Sequence, residues 1–95
     1  MEILDNGLIG RLVISKAGRD KDKLFLITGI IDISYVIIVD GDLRKIEAPK
    51  KKKLKHLLLT EKYSAEIKEM LIKGDKVSNA QIRKYIQSED LNKEV

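Results

Sequence analysis

The spacing of apolar residues changes period near Thr60, and few small folds accommodate both sides of that change. Up to Thr60 the apolar residues come in short β-rich runs: GRLVISKA (10–17), KLFLITGIID (23–32) and SYVIIVD (34–40). These are rich in Val, Ile, Leu and aromatic residues, the side chains that suit a pleated surface. Turn signals separate them, Gly18 to Asp22 and then Asp40-Gly41-Asp42, and Asp-Gly between apolar runs is a hairpin cue. Gly29 interrupts the second run, where a glycine marks a bulge or sharp bend. LRKIEA (43–48) reads as a short fourth strand and HLLLT (56–60) as the closing one. Short strands with tight connections predict a small five-stranded antiparallel barrel over residues 1–60.

Beyond Thr60, Tyr63, Ile67, Met70 and Leu71 fall at i, i+4, i+7 and i+8, the stripe of an amphipathic helix. Thr60 or Ser64 suits its N-cap and Gly74 its C-terminal end. A second helix starts at Ser78, where Ser78 and Gln81 make a capping box and Val77 with Ile82 occupy the staple positions. Ile82, Tyr85 and Ile86 form its apolar face, and the polar end SEDLNKEV is expected to fray. Residues 61–95 therefore read as a C-terminal helical hairpin and tail, lying on the barrel or on a partner. The fold class is mainly β.

Charge divides at the same place. Residues 1–60 carry twelve Lys/Arg against eight Asp/Glu, while residues 61–95 carry seven of each. Within the first part, Arg44 to His56 holds seven basic residues and one acid, Glu47. So concentrated a positive segment suits a polyanion, nucleic acid first and an anionic membrane surface second. No basic amphipathic helix adjoins the lysines, which argues against the membrane surface. MEILDNGLIGR lacks a basic stretch followed by an apolar run, so no signal peptide is expected, and no apolar stretch reaches the ~20 residues of a membrane span. The chain has no cysteine, which removes disulfides and thiolate chemistry and fits a reducing compartment, the cytoplasm.

A catalytic reading finds no support. His56 is the single histidine, and no nucleophile–base constellation or phosphate-cradling glycine motif stands out. No enzyme activity, metal, cofactor or small-molecule substrate is expected, and His56 reads as a structural or RNA-edge residue. The informative segments are two. In GRLVISKAGRDKDKLFLI (10–27), a strand leads into a turn bearing Gly18, Arg19, Lys21 and Lys23, whose cations would project as phosphate donors; a solvated hairpin of mixed charge, diluted by Asp20 and Asp22, is the alternative. In EAPKKKKLKHLLLT (47–60), Pro49 cannot continue a central strand, so Lys50–Lys53 start in a loop or edge segment tethered at both ends. A phosphate-gripping loop of solvated lysines is the reading adopted, above a nuclear address signal.

The first segment resembles a KOW motif, the strand–loop–strand unit of several ribosomal proteins and transcription-elongation factors, through Gly10, Val13, Gly18, Lys21, Lys23 and the apolar run Leu24–Ile27. The stretch YVIIVDGDLRKIEAPKKKKLKHLLLT is similar to the second half of the archaeal and eukaryotic large-subunit ribosomal protein fourteen, with Asp40-Gly41, the lysine run and His56-Leu57 in matching order. The resemblance covers about residues 8–60. Asp22 stands where many KOW motifs have glycine, and the helices lie outside the motif. The resemblance implies an SH3-like barrel and binding of structured RNA, ribosomal RNA above all.

The RNA-facing residues expected are Arg11, Lys16, Arg19, Lys21, Lys23, Arg44, Lys45, Lys50, Lys51, Lys52, Lys53, Lys55 and His56. Phe25 and Tyr35 lie in apolar runs and read as core. So few aromatics point away from base stacking and toward shape and phosphate recognition of folded RNA. The competing function is a protein-interaction adaptor to the transcription or translation machinery, ribosomal proteins among its partners, using the helical stripes if they do not pack on the barrel.

Overall fold

The computed structural model describes residues 7–93. Five strands, β1 (Arg11–Ser15), β2 (Leu24–Ile30), β3 (Tyr35–Val39), β4 (Lys50–Lys53) and β5 (Leu57–Tyr63), form one antiparallel sheet in the order β4-β3-β2-β1-β5. A 3-10 turn, Leu54–His56, joins β4 directly to β5, and two helices follow, α1 (Ala65–Lys73) and α2 (Asn79–Lys93). The expected barrel is not closed: β4 and β5 are the two ends of the strand order, with no ladder between them among the described residues. The sheet nevertheless curls, because Leu57 at the start of β5 joins Val36 and Ile38 of β3 in a single buried cluster.

Strand alternation explains why the β runs are almost wholly apolar. Val13, Phe25, Ile27, Val36, Ile38 and Leu57 fill the concave face. Their neighbours Leu12, Leu26 and Val39 point the other way and meet Ile67, Val77 and Ile82 from the helical region. Both faces are buried, so alternation with polar residues is not needed. Met70, Leu71, Tyr85 and Ile86 complete the second cluster. The helical stripes expected to serve either the barrel or a partner are thus taken up by the sheet. Fully burying each Leu or Ile here contributes roughly 1.5–3 kcal/mol. The bulge expected at Gly29 is present as a register shift between Ile27 and Gly29 in the β2–β3 ladder.

Both helix starts follow the local code. Ser64 caps α1, its Oγ accepting from the Ile67 amide at 3.1 Å, and Gly74 ends α1 with a left-handed φ of 83°. The Ser78–Gln81 capping box forms in both directions, at 3.0 and 3.1 Å. Tyr63, assigned to the helical stripe from its spacing, instead ends β5 and is 54% exposed. The polar end of α2, expected to fray, is helical through Lys93. Half-buried Glu89 there reaches Lys62 of β5 at 3.7 Å; the last residues of the tail, 94–95, lie outside the described residues.

The fourth strand is not where spacing placed it. Residues 43–48 form bends and turns, because side chains and local turn bonds rather than a ladder claim their backbone. Asp40 Oδ1 accepts from the amides of Asp42 and Arg44, both at 2.8 Å, and Asn79 Oδ1 accepts from the Ile46 amide at 2.8 Å. Gly41 makes this turn and the docking of α2 compatible: its φ is 78°, and a Cβ there would stand 2.5 Å from the Asn79 carbonyl oxygen. The ladder resumes at the lysines themselves. Lys50–Lys53 is an edge strand paired with β3, not a solvated loop, and Pro49 precedes it where no amide is required of a central position.

Candidate nucleic-acid interface

A strand of four lysines divides them by parity. Lys50 and Lys52 lie opposite Ile38 and Val36, both wholly buried, and so share the inner face of the sheet; Lys51 and Lys53 share the outer face with Ile37 and Tyr35. Lys52 is only 8% exposed. Its stem crosses the edge of the concave core, and its ammonium emerges to donate to the Ala17 carbonyl at 3.1 Å. Lys50 forms an ion pair with Asp20. Two members of the run thus reach the β1–β2 turn, which brings together the two basic segments that were 30 residues apart in the sequence.

That turn presents Lys16, Arg19, Lys21 and Lys23 to solvent. Its path is closed by the Asp22 amide donating to the Ser15 carbonyl at 2.7 Å and the Lys23 amide to the Asp20 carbonyl at 2.9 Å. Gly18 has a φ of 80°, as a turn glycine should, and Asp22, where the KOW resemblance expects a glycine, has a φ of 73°, the one non-glycine residue in that region among those described. The wholly buried Ser15 donates its hydroxyl to the same Ala17 carbonyl at 3.0 Å.

Asp20 is the hub the sequence did not single out beyond its dilution of the positive field. Its side chain is 13% exposed. The hydrogen bond from Lys50 holds its carboxyl below the usual carboxylate range; burial opposes this, and the charges of Lys50, Lys52 and Arg44 reinforce it. Half-buried Arg44 lines a cleft with Asp20, Lys23, Phe25, Asp40 and Leu43, and Lys45 stands exposed beyond it.

On the outer face, Lys51 Nζ sits 4.6 Å from the centre of the Tyr35 ring, a cation–π contact. Tyr35 is therefore half-buried rather than core, whereas Phe25 is core at 1% exposure. Lys53 and Lys55 line a recess with Ile33, Ser34, Tyr35 and Leu54. His56, half-buried on the 3-10 turn, accepts at its carbonyl from the Lys16 amide at 2.8 Å, which sets that turn beside the β1–β2 segment. Arg11 stands apart. It lies at the other end of β1, about 13 Å along the strand from Ser15, and its guanidinium donates to the carbonyls of Gly7 and Thr60, both at 2.8 Å.

The arrangement is a surface of pinned and exposed cations around Asp20, with Asp22 and Asp40 as further acids beside it. It suits contact with several phosphates at once. Among the described residues no group of three or more His, Asp or Glu is placed to hold a metal ion, and no helix is long and apolar enough to cross a membrane.

No protein-family model matches the chain. Over 72 residues, 76% of its length, it is 32% identical to a protein of Bacillus subtilis (strain 168) named "Putative ribosome-binding protein YbzG", 97% of which the match covers.

Proposed function

The chain belongs to the family of YbzG, and on that premise we propose that it is a ribosome-associated RNA-binding protein, not an enzyme, that grips folded RNA of the large subunit or its precursor through backbone phosphates. The observation that carries this reading is the convergence of the lysine strand and the basic β1–β2 turn, joined through Lys50–Asp20 and Lys52–Ala17. Lys16, Arg19, Lys21, Lys23, Lys45, Lys51, Lys53 and Lys55 then offer the exposed cations. The strand order, with a 3-10 turn between β4 and β5, supports kinship with KOW and SH3-like barrels. The binding site is cytoplasmic in this reading, as a ribosome partner requires.

The test is sedimentation of the tagged protein on sucrose gradients at low and high salt. Comigration with large subunits or their precursors that is lost on raising salt supports the reading; a protein found only at the top at low salt refutes it. The adaptor alternative draws on one observation, the exposure of Ile31 and Ile33 (44% and 83%) at the β2–β3 hairpin tip. Association that survives nuclease digestion of the RNA supports that alternative.

A further inference from the structure

We propose that Asp20 stands in the free protein where a nucleic-acid phosphate stands in the complex, so that the turn carries its own competitor for the lysines it faces. This rests on the reading that this face takes RNA phosphate. Lys50 from β4 engages the carboxylate directly. Lys52, also from β4, is held nearby by the Ala17 carbonyl, and Arg44 and Lys23 line the adjoining cleft. The acid facing them beside Asp20 is Asp40, whose Oδ1 is already accepting two backbone amides.

Lys50, Lys52, Arg44 and Lys23 thus outnumber the two carboxylates set among them, Asp20 and Asp40. The surplus is not free to relax, because Lys52 is 8% exposed and pinned at 3.1 Å. Beside it, Gly18 leaves its side-chain position open, with Lys52 Nζ 3.6 Å from where a Cβ would be. A carboxylate and a phosphodiester each present two anionic oxygens, but those of the tetrahedral phosphate are splayed wider, so that one can meet Lys50 while the other faces Arg44 and Lys23. A phosphate entering here exchanges with Asp20 at Lys50, and Asp20 turns toward solvent. The exchange makes binding conditional: a ligand placing a phosphate at this point regains the ion pair it breaks, while one that touches only the exposed lysines does not displace Asp20.

The experiment uses the full chain, ribosomal RNA from isolated large subunits and, separately, inorganic pyrophosphate. Asp20→Asn should raise RNA affinity about two- to five-fold, the worth of one partly exposed ion pair, and steepen the slope of log affinity against log salt by roughly 0.7–0.9. Adding Lys50→Gln should reverse both. Pyrophosphate titrated into the wild type should shift the amide resonances of Gly18, Asp20 and Lys52 first, an arm that needs no folded variant. Unchanged or weaker RNA binding by a folded Asp20→Asn variant, or pyrophosphate shifts spread evenly over the lysine surface, overturns the proposal. Absence of RNA binding by the wild type defeats the RNA reading instead, and the pyrophosphate shifts still decide whether the anion site exists.

Discussion

The ammonium of Lys52 donates to the carbonyl of Ala17 across 35 residues of chain, at 3.1 Å. One lysine of a solvent-loving run is thereby a buried fastener between the edge strand and the turn beside it. Since Ala17 also accepts from buried Ser15, the contact closes the end of the concave core. The four lysines are chemically identical and mechanically different.

Lys52→Ala should lower stability by about 1–3 kcal/mol, since it strips both a half-buried hydrogen bond and the stem that covers the core. Lys53→Gln should leave melting unchanged within error, Lys51→Gln should cost no more than the ~0.5–1 kcal/mol of its contact with the Tyr35 ring, and both should weaken RNA binding. Thermal melts beside filter binding at several salt concentrations distinguish the two classes. Equal melting temperatures for all three variants would contradict the division by parity.

Asp22→Gly should stabilise the protein by about 0.5–1 kcal/mol, because Asp22 holds a φ of 73° that glycine adopts at little cost. Gly18→Val, at a φ of 80°, should destabilise by about 1–3 kcal/mol. Chemical denaturation of the pair settles the sign of each.

Gly41→Ala should cost about 2 kcal/mol or more. The new Cβ would stand 2.5 Å from the Asn79 carbonyl oxygen and 3.1 Å from the Arg83 amide nitrogen, so α2 has to shift on the sheet. Reduced amide-exchange protection in α2 should accompany the lower melting temperature, and a wild-type melting curve would show that the docking is looser than described.

Acid should selectively remove the contribution of Asp20. Its carboxyl is held below the ordinary value of 3.8 by Lys50, with Lys52 and Arg44 acting in the same direction. A depressed carboxylate contributes stability that is present in full above the ordinary value and is lost as pH falls through the lowered one. The melting-temperature gap between wild type and Asp20→Asn should therefore be constant near neutrality and close below pH 3.8. A gap independent of pH would mean that the ion pair is not what distinguishes them.

The elements with a strong local code were legible in the sequence. β1, β2, β3 and β5, the Gly29 bulge, the Gly74 helix end and the Ser78–Gln81 box all follow from spacing and capping chemistry. What was not legible depends on partners distant in the chain. Residues 43–48 have an acceptable strand pattern, but Asn79, more than thirty residues on, takes the Ile46 amide. The basic patch was legible as charge; the buried course of Lys52 and the pairing of Lys50 with Asp20 were not, because charge counts carry no information about which way a side chain points.

A run of four identical residues is also an ambiguous instruction. Slide β4 by one position along β3 and nearly every place that held a lysine still holds one, so the strand cannot recognise its own misalignment. The correct alignment has to be written at its ends. Pro49 stands at one, and at the other Leu54 donates its amide to the Ser34 carbonyl at 2.7 Å and packs on the concave core. Which lysines become fasteners and which meet the ligand is thus decided by two neighbours that carry no charge at all.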